Sequence, residues 1–270
     1  MFIFIQPENL VYLKQLKLVF TPALALQDPF IENKRVHRPV SQQPLSDSEF
    51  SAAMQKNYDA LEAHIKAMVS FDYYLQQAKQ NRPQIEAQLK QQQQVQNSEA
   101  VIATREQYSK VAVLRLFRSI HQQALWEKYG NDHAGVAIKV HSDHPFFSDA
   151  SFNGKPQLTK AIEYDDARPS APTKQQPFPA LIRRPEHFAY EQEWRLIRPI
   201  SSFDSANQDV LTAKLPKGLV EGIYLGLHAD VDLISSMRNL VAHDLQFRGV
   251  PLKQLGVSET HLRLVATTLD

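Results

Sequence analysis

The chain has 270 residues, of which 43% are apolar and 22% charged, and its charges nearly cancel at +1. That is the balance of an ordinary globular protein, long enough for one large domain or two small ones, and it lacks the broad basic surface that holds nucleic acid without regard to sequence. There is no cysteine, which excludes disulfides, thiolate metal sites and cysteine nucleophiles.

The opening MFIFIQPENL carries an apolar run too short for a signal peptide or a membrane span, so a cytoplasmic protein is expected. Residues 1–45 contain short strand-like or helical pieces and a turn at QDPF. Residues 46–109 read as helical. Phe50, Met54, Tyr58, Leu61, Ile65, Met68 and Tyr73 recur mostly three or four apart, the helical period. Ser46 and Asp47 suit an N-cap, and Glu49 follows Ser46 by three. Pro83 interrupts the pattern, with a second helix after it. LKQQQQVQNSEA, from Leu89, is a solvated helix or a loop by its composition.

From residue 110 the pattern changes. VAVLRLF (111–117) and GVAIKV (135–140) are short β-branched runs, as strands are. SIHQQALWEKYG between them suits a short helix closed by Gly130. QLTKAIEY, YEQEWRLIRPI, GLVEGIYLG and HLRLVATTL are further strand candidates, VDLISSMRNLVAH a helix, and the Pro-rich 165–180 a loop. These elements predict an α+β fold, with a mixed or mainly antiparallel sheet core in the C-terminal part and a helical N-terminal or insert region. One domain over 1–270 is expected, with a helical subregion 46–109 and a β-rich core 110–270.

Several chemistries find no motif. There is no GxSxG elbow, no Walker loop and no GxGxxG, and a count of only 8 glycines argues against a glycine-cradled phosphate. His141 and His144 flank Asp143, but Pro145 turns that stretch into a loop, and no metal is predicted. Three pieces remain. In YEQEWRLIRP, strand alternation places Glu191, Glu193 and Arg195 on one face and Tyr190, Trp194 and Leu196 on the other. Two carboxylates about 7 Å apart raise one another's pKa unless a cation compensates, and Arg195 is placed to do so for Glu193. This is either a salt bridge on a wet face or a carboxylate pair that orients a sugar hydroxyl and stabilises a developing cation. In LWEKYGNDHAGVAIKV, Trp126 and Tyr129 are neighbours on a helix, and His133 sits at a strand entrance, where it caps a turn or meets a ligand. In QDPF, Asp28 before Pro29 is a turn former and a third candidate.

QDPF, WEKYGNDHAG (126–135) and YEQEWR (190–195), in this order, resemble a bacterial family known as domain of unknown function twenty-nine seventy-one. Gln27 departs from that family's asparagine, and RLFRS stands where a Cys-Phe-Ser type strand is expected. The resemblance implies a bacterial protein found near mobile elements and phage-defence genes. Glu191-Gln192-Glu193 is also distantly similar to the Glu-x-Glu of some ADP-ribosyltransferases. That second resemblance implies an NAD-consuming toxin or phage-defence effector, with NAD as co-substrate and a macromolecular acceptor or an immunity or defence protein as partner. Glu193 would be the catalytic carboxylate and Glu191 would orient the acceptor. His133 would contact the nicotinamide-side ribose, Tyr129 or Trp126 would stack on the nicotinamide, and Arg115 or Arg118 would meet the pyrophosphate. A non-catalytic sensor, and a nuclease holding a divalent cation on Asp28, Glu191 and Glu193, are the alternatives.

Overall fold

The computed structural model describes every residue except 27, 29–30, 32–43, 149–150, 153, 170–175, 204–209 and 270, and only the backbone of 94–104 and 151–152. Gln27, Pro29 and Phe30 of QDPF, and the middle of the Pro-rich loop, therefore lie outside the described residues. The sequence suggests one domain; the chain forms two compact units, Met1–Glu32 with Glu106–Asp270, and Asn33–Arg105.

In chain order the first unit begins with β1 (Phe2–Ile5), α1 (Leu10–Lys14) and β2 (Lys17–Pro22). The second unit holds α2 (Asp47–Asp59), α3 (Ala63–Met68), α4 (Phe71–Gln80) and most of α5 (Arg82–Tyr108). The first unit resumes with β3 (Val111–Phe117), α6 (Gln123–Tyr129), β4 (Val136–Val140), β5 (Ser151–Phe152), β6 (Lys155–Pro156), β7 (Leu158–Ala161), β8 (Glu163–Tyr164), β9 (Arg183–Arg184) and β10 (Glu193–Pro199). It ends with β11 (Leu211–Lys214), β12 (Val220–Leu225), α7 (Val231–His243), β13 (Leu252–Val257) and β14 (Leu264–Thr268).

The expected α+β class is observed, with a mixed, mostly antiparallel sheet. Its path runs β11-β2-β3-β1-β4-β12-β13-β14, with β10 on the other side of β3 and β7 beyond it. The pairing of β12 with β13 is parallel, and α7 is the crossover such a pair requires. Strands from the first 22 residues thus complete a core that the sequence places wholly after residue 110. β3 reads as a near-continuous apolar run because both of its faces are covered; β10 is equally buried yet carries Glu193, Arg195 and Arg198. Leu114, Leu116, Val136, Ile138, Leu196, Ile223 and Leu225 form the main core, each contributing about 1.5–3 kcal/mol by burial.

The helical unit follows its sequence signals at the caps and departs from them in between. Ser46 and Glu49 form the expected capping box: the Glu49 amide donates to the Ser46 hydroxyl, and the Ser46 amide donates to the Glu49 carboxylate at 2.9 Å. Pro83 lies in the first turn of α5, where its missing N–H costs nothing. The single apolar stripe from Phe50 to Tyr73 does not form. The helix stops at Asp59, and Ser70 caps a new one, so Phe50 and Met54 are buried while Met68 is 74% exposed.

Candidate functional site

Glu193 opens β10, but Glu191 is not on that strand. Pro185 leads into a 3-10 helix over Glu186–Glu191, and Gln192 then takes a left-handed conformation at φ 45°. The alternation assumed for Glu191, Glu193 and Arg195 fails at Gln192. The two carboxylates converge because the chain folds back there.

Neither carboxylate is on a wet face. In the β3–β10 register Arg115 lies directly across from Arg195, a like-charge pair that destabilises a sheet unless neutralised. Glu193 neutralises it. Arg115 grips it with two parallel bonds, Nε to Oε1 at 2.6 Å and a terminal nitrogen to Oε2 at 2.9 Å. Arg195 donates to the same two oxygens at 2.8 and 3.2 Å, and Arg184 to Oε2 at 3.1 Å. Glu191 takes Arg184, Lys128 at 3.1 Å and the Tyr129 hydroxyl at 3.2 Å. Asp28 completes the group, with Oδ2 at 3.8 Å from Arg184 and 3.9 Å from Arg195. Tyr164 holds the entrance of β10, its hydroxyl accepting the Glu193 amide at 2.8 Å.

The electrostatics follow from this packing. Burial alone would push the Glu193 carboxyl up, but Arg195 and Arg115 outweigh it and hold the pKa well below the usual carboxylate range. Burial opposes the charge of Arg115 as well, and Glu193 reverses the balance and raises its pKa. Burial lowers Lys128, with Glu191 working against it. Burial raises the Tyr129 phenol, and raises that of Tyr164 to about 12.

The cluster is graded from back to front. Glu191 and Glu193 have no exposed side-chain surface, whereas Arg115 is 22% and Lys128 39% exposed. Both cations border a cleft of about 390 Å³, whose other walls include Gln6, Glu8, Asn9, Lys17, Phe4 and Phe117. Lys128 also sits 4.7 Å above the Phe188 ring, and Arg115 4.5 Å above that of Tyr129. The carboxylates therefore hold the cations from behind, and the cations are what a ligand would meet.

Of the residues singled out in the sequence, Asp28, Arg115, Tyr129, Glu191, Glu193 and Arg195 come together. Four do not. Trp126 is fully buried; its indole N–H donates to the Ile120 carbonyl at 2.8 Å, so it has no free face to stack on a ligand. Arg118 is exposed beyond the end of β3; a three-residue separation from Arg115 puts it on the opposite face of the strand. Tyr190 is 40% exposed on the 3-10 helix. His133 is buried against Trp126, ring centroids 6.5 Å apart, and against His228 at 5.7 Å. Among the described residues no hydrogen bond or ion pair joins it to either glutamate. Its place is set by Asn131, Asp132 and His133, all left-handed at φ 50°, 50° and 66°; these are the non-glycine types that tolerate that region best. His144 is structural, its Nδ1 accepting the Phe146 amide at 3.0 Å.

Arg184 and Lys128 were missed as site residues. Each stands in a quoted or adjacent stretch, but nothing local marks it as a partner of Glu191. As for the metal alternative, four cationic side chains surround the three carboxylates, which leaves a divalent cation no favourable seat among them. Among the described residues no group of three or more His, Asp or Glu is placed to hold a metal ion, and no helix is long and apolar enough to cross a membrane.

Residues 125–196 match the sequence model of a family described as Protein of unknown function (DUF2971). The matched stretch is a minority of the chain, yet it contains Lys128, Tyr129, Arg184, Glu191, Glu193 and Arg195. No curated protein and no solved structure matches the chain.

Proposed function

We propose that the cleft beside the cluster binds a small phosphorylated ligand through Arg115 and Lys128. The observation that carries this reading is the grading of charge: Arg115, Lys128 and Lys17 at the surface of the cleft against, among the described residues, a single lining carboxylate, Glu8, with Glu191 and Glu193 sealed behind. The Glu193 grip occupies Nε and one terminal nitrogen of Arg115, and Lys128 has one bonded partner, Glu191. Each cation keeps donor capacity for an incoming anion, and Arg115 is already held in the forked geometry that suits phosphate. The cleft volume lies within the range of small-ligand sites, about 300–1,000 Å³.

NAD belongs to this ligand class, and the ADP-ribosyl-transfer reading is its catalytic form. In the arrangement described, the lone pairs of Glu193 are taken by guanidinium groups. It can face a developing oxocarbenium ion only if the phosphates draw Arg115 aside, which makes substrate binding the step that frees the carboxylate. A sensor that binds without turnover would use the same cleft. The wider role as a toxin or phage-defence effector rests on the resemblance alone.

Calorimetric titration with inorganic pyrophosphate and with NAD tests the reading. Lys128→Gln removes one charge-assisted bond, and its affinity should fall roughly 10-fold or more, since such bonds contribute about 1.5–3 kcal/mol. Lack of binding by either probe, or undiminished binding by the variant, would sink it. Release of free nicotinamide from NAD separates the enzyme from the sensor.

A further inference from the structure

The cleft lies where the sheet forks. β3 pairs with β2 at Ala112 and Val113, and with β1 only at Phe117. Between those points residues 114–116 have β10 on one side and, among the described residues, no strand on the other. β1 is open in the same direction, because residues 3–5 find their partners on β4. β1 and β2 both run antiparallel to β3, so they form two walls of a wedge with 114–116 at its apex. The cleft is lined by Ile3, Phe4 and Ile5 from one wall and Lys17, Leu18 and Val19 from the other.

Strand edges carry fixed donors and acceptors that need a partner wherever water is displaced. In a strand the main-chain groups of alternate residues point to opposite sides. Those of 3–5 and 114–116 that point away from β4 and β10 therefore face the wedge. Three aromatic rings accompany them. Phe4 meets Phe117 edge-on at 5.5 Å and lies 6.4 Å from Tyr129, and Phe117 lies 4.8 Å from Tyr129. Arg115 projects from the apex strand into the cation group.

From this juxtaposition we infer that the fork seats a planar heterocycle with an amide-type hydrogen-bonding edge, so that the phosphorylated ligand is a nucleotide. The inference rests on the phosphate reading above and names its ligand class. A flat ring fits the narrow part of a wedge, its edge pairs with main-chain groups as a strand would, and its face meets Phe4, the half-buried member of the aromatic trio, which Phe117 and Tyr129 back from behind. The phosphate then falls at Arg115 and Lys128, on the same side of the fork. A purely apolar group would leave the open strand edges unpaired, at a cost.

The test uses the full chain, labelled with nitrogen-15, and five probes: AMP, GMP, UMP, nicotinamide mononucleotide and ribose 5-phosphate. The best nucleotide should bind at least about 10-fold more tightly than ribose 5-phosphate, the gain expected of one stacked, hydrogen-bonded base. Amide resonances of residues 3–5 and 114–116 should move with that nucleotide and stay in place with ribose 5-phosphate. Affinities equal across the five, or amide shifts elsewhere only, overturn the fork site and leave the phosphate reading standing. A nucleotide that binds at the fork equally well to Lys128→Gln supports the fork site and removes the phosphate reading.

Discussion

Glu193→Gln isolates the charge balance of the cluster while keeping side-chain volume. Arg115, Lys128, Arg184 and Arg195 stand against Asp28, Glu191 and Glu193, four charges to three, a net of +1. The substitution makes it four to two, +2, and removes the group that separates Arg115 from Arg195 across the β3–β10 pair. Removing one partner of a buried ion pair costs about 3–5 kcal/mol, because the other charge stays buried. Against a whole-domain stability of about 5–15 kcal/mol this is a large share. At about 2–4 °C per kcal/mol for a unit of this size, the midpoint should fall by roughly 6–20 °C. Thermal and urea unfolding, each followed by tryptophan fluorescence, are the suitable assays, since Trp126 and Trp194, both tryptophans of the chain, lie in the first unit. The Arg115→Gln, Glu193→Gln double variant should lose clearly less than the sum of the singles. A single-variant loss below about 1 kcal/mol, or strict additivity, would show that the carboxylate does not neutralise the arginines.

Acid should act through the same group. A carboxylate with a folded pKa below its unfolded value of about 4.3 contributes stability that is fully present above that value and lost as pH falls through the folded one. The wild-type fluorescence midpoint should therefore drop below about pH 4, and the slope should flatten in Glu193→Gln; parallel slopes would contradict the assignment. Gly226→Ala puts a Cβ 2.0 Å from the His133 carbonyl oxygen, where no backbone can give way cheaply, whereas a Cβ at Gly256 meets nothing within 4 Å. The first should yield little folded protein and the second should differ from wild type by less than about 1 kcal/mol in urea; equal stability of the two would refute the contact. Ser46→Ala should cost the helical unit about 0.5–2 kcal/mol by losing its cap, read as an earlier loss of helical circular dichroism with the tryptophan transition unchanged.

The sequence was most informative where local chemistry sets an element's ends. Gly130 closes α6 and Ser46 caps α2 as their residue types suggest, the Ser46 amide donating to the Glu49 carboxylate at 2.9 Å. β13 was not foreseen, since PLKQLGV has little apolar alternation and is a strand through its neighbours β12 and β14. The site was legible in its charges but not in its shape. Glu191, Glu193 and Arg195 were visible as a group, but glutamine is an unusual left-handed residue, so nothing announced the fold-back at Gln192. Lys128 and Arg184 were hidden for a different reason. The positions of Lys128 and Glu191 are 63 apart in the chain, and only the path of the sheet and the 3-10 helix makes them neighbours.

The interlocked charges also bear on how this protein can diverge. Neither buried glutamate can change sign or vanish without leaving a guanidinium group uncompensated, so drift at these positions should occur in compensated pairs. Related chains that replace Glu193 should also have replaced one of its guanidinium partners. A collection of relatives in which these positions vary independently would mean that the charges are solvated in life, and that the buried balance is not what selection maintains.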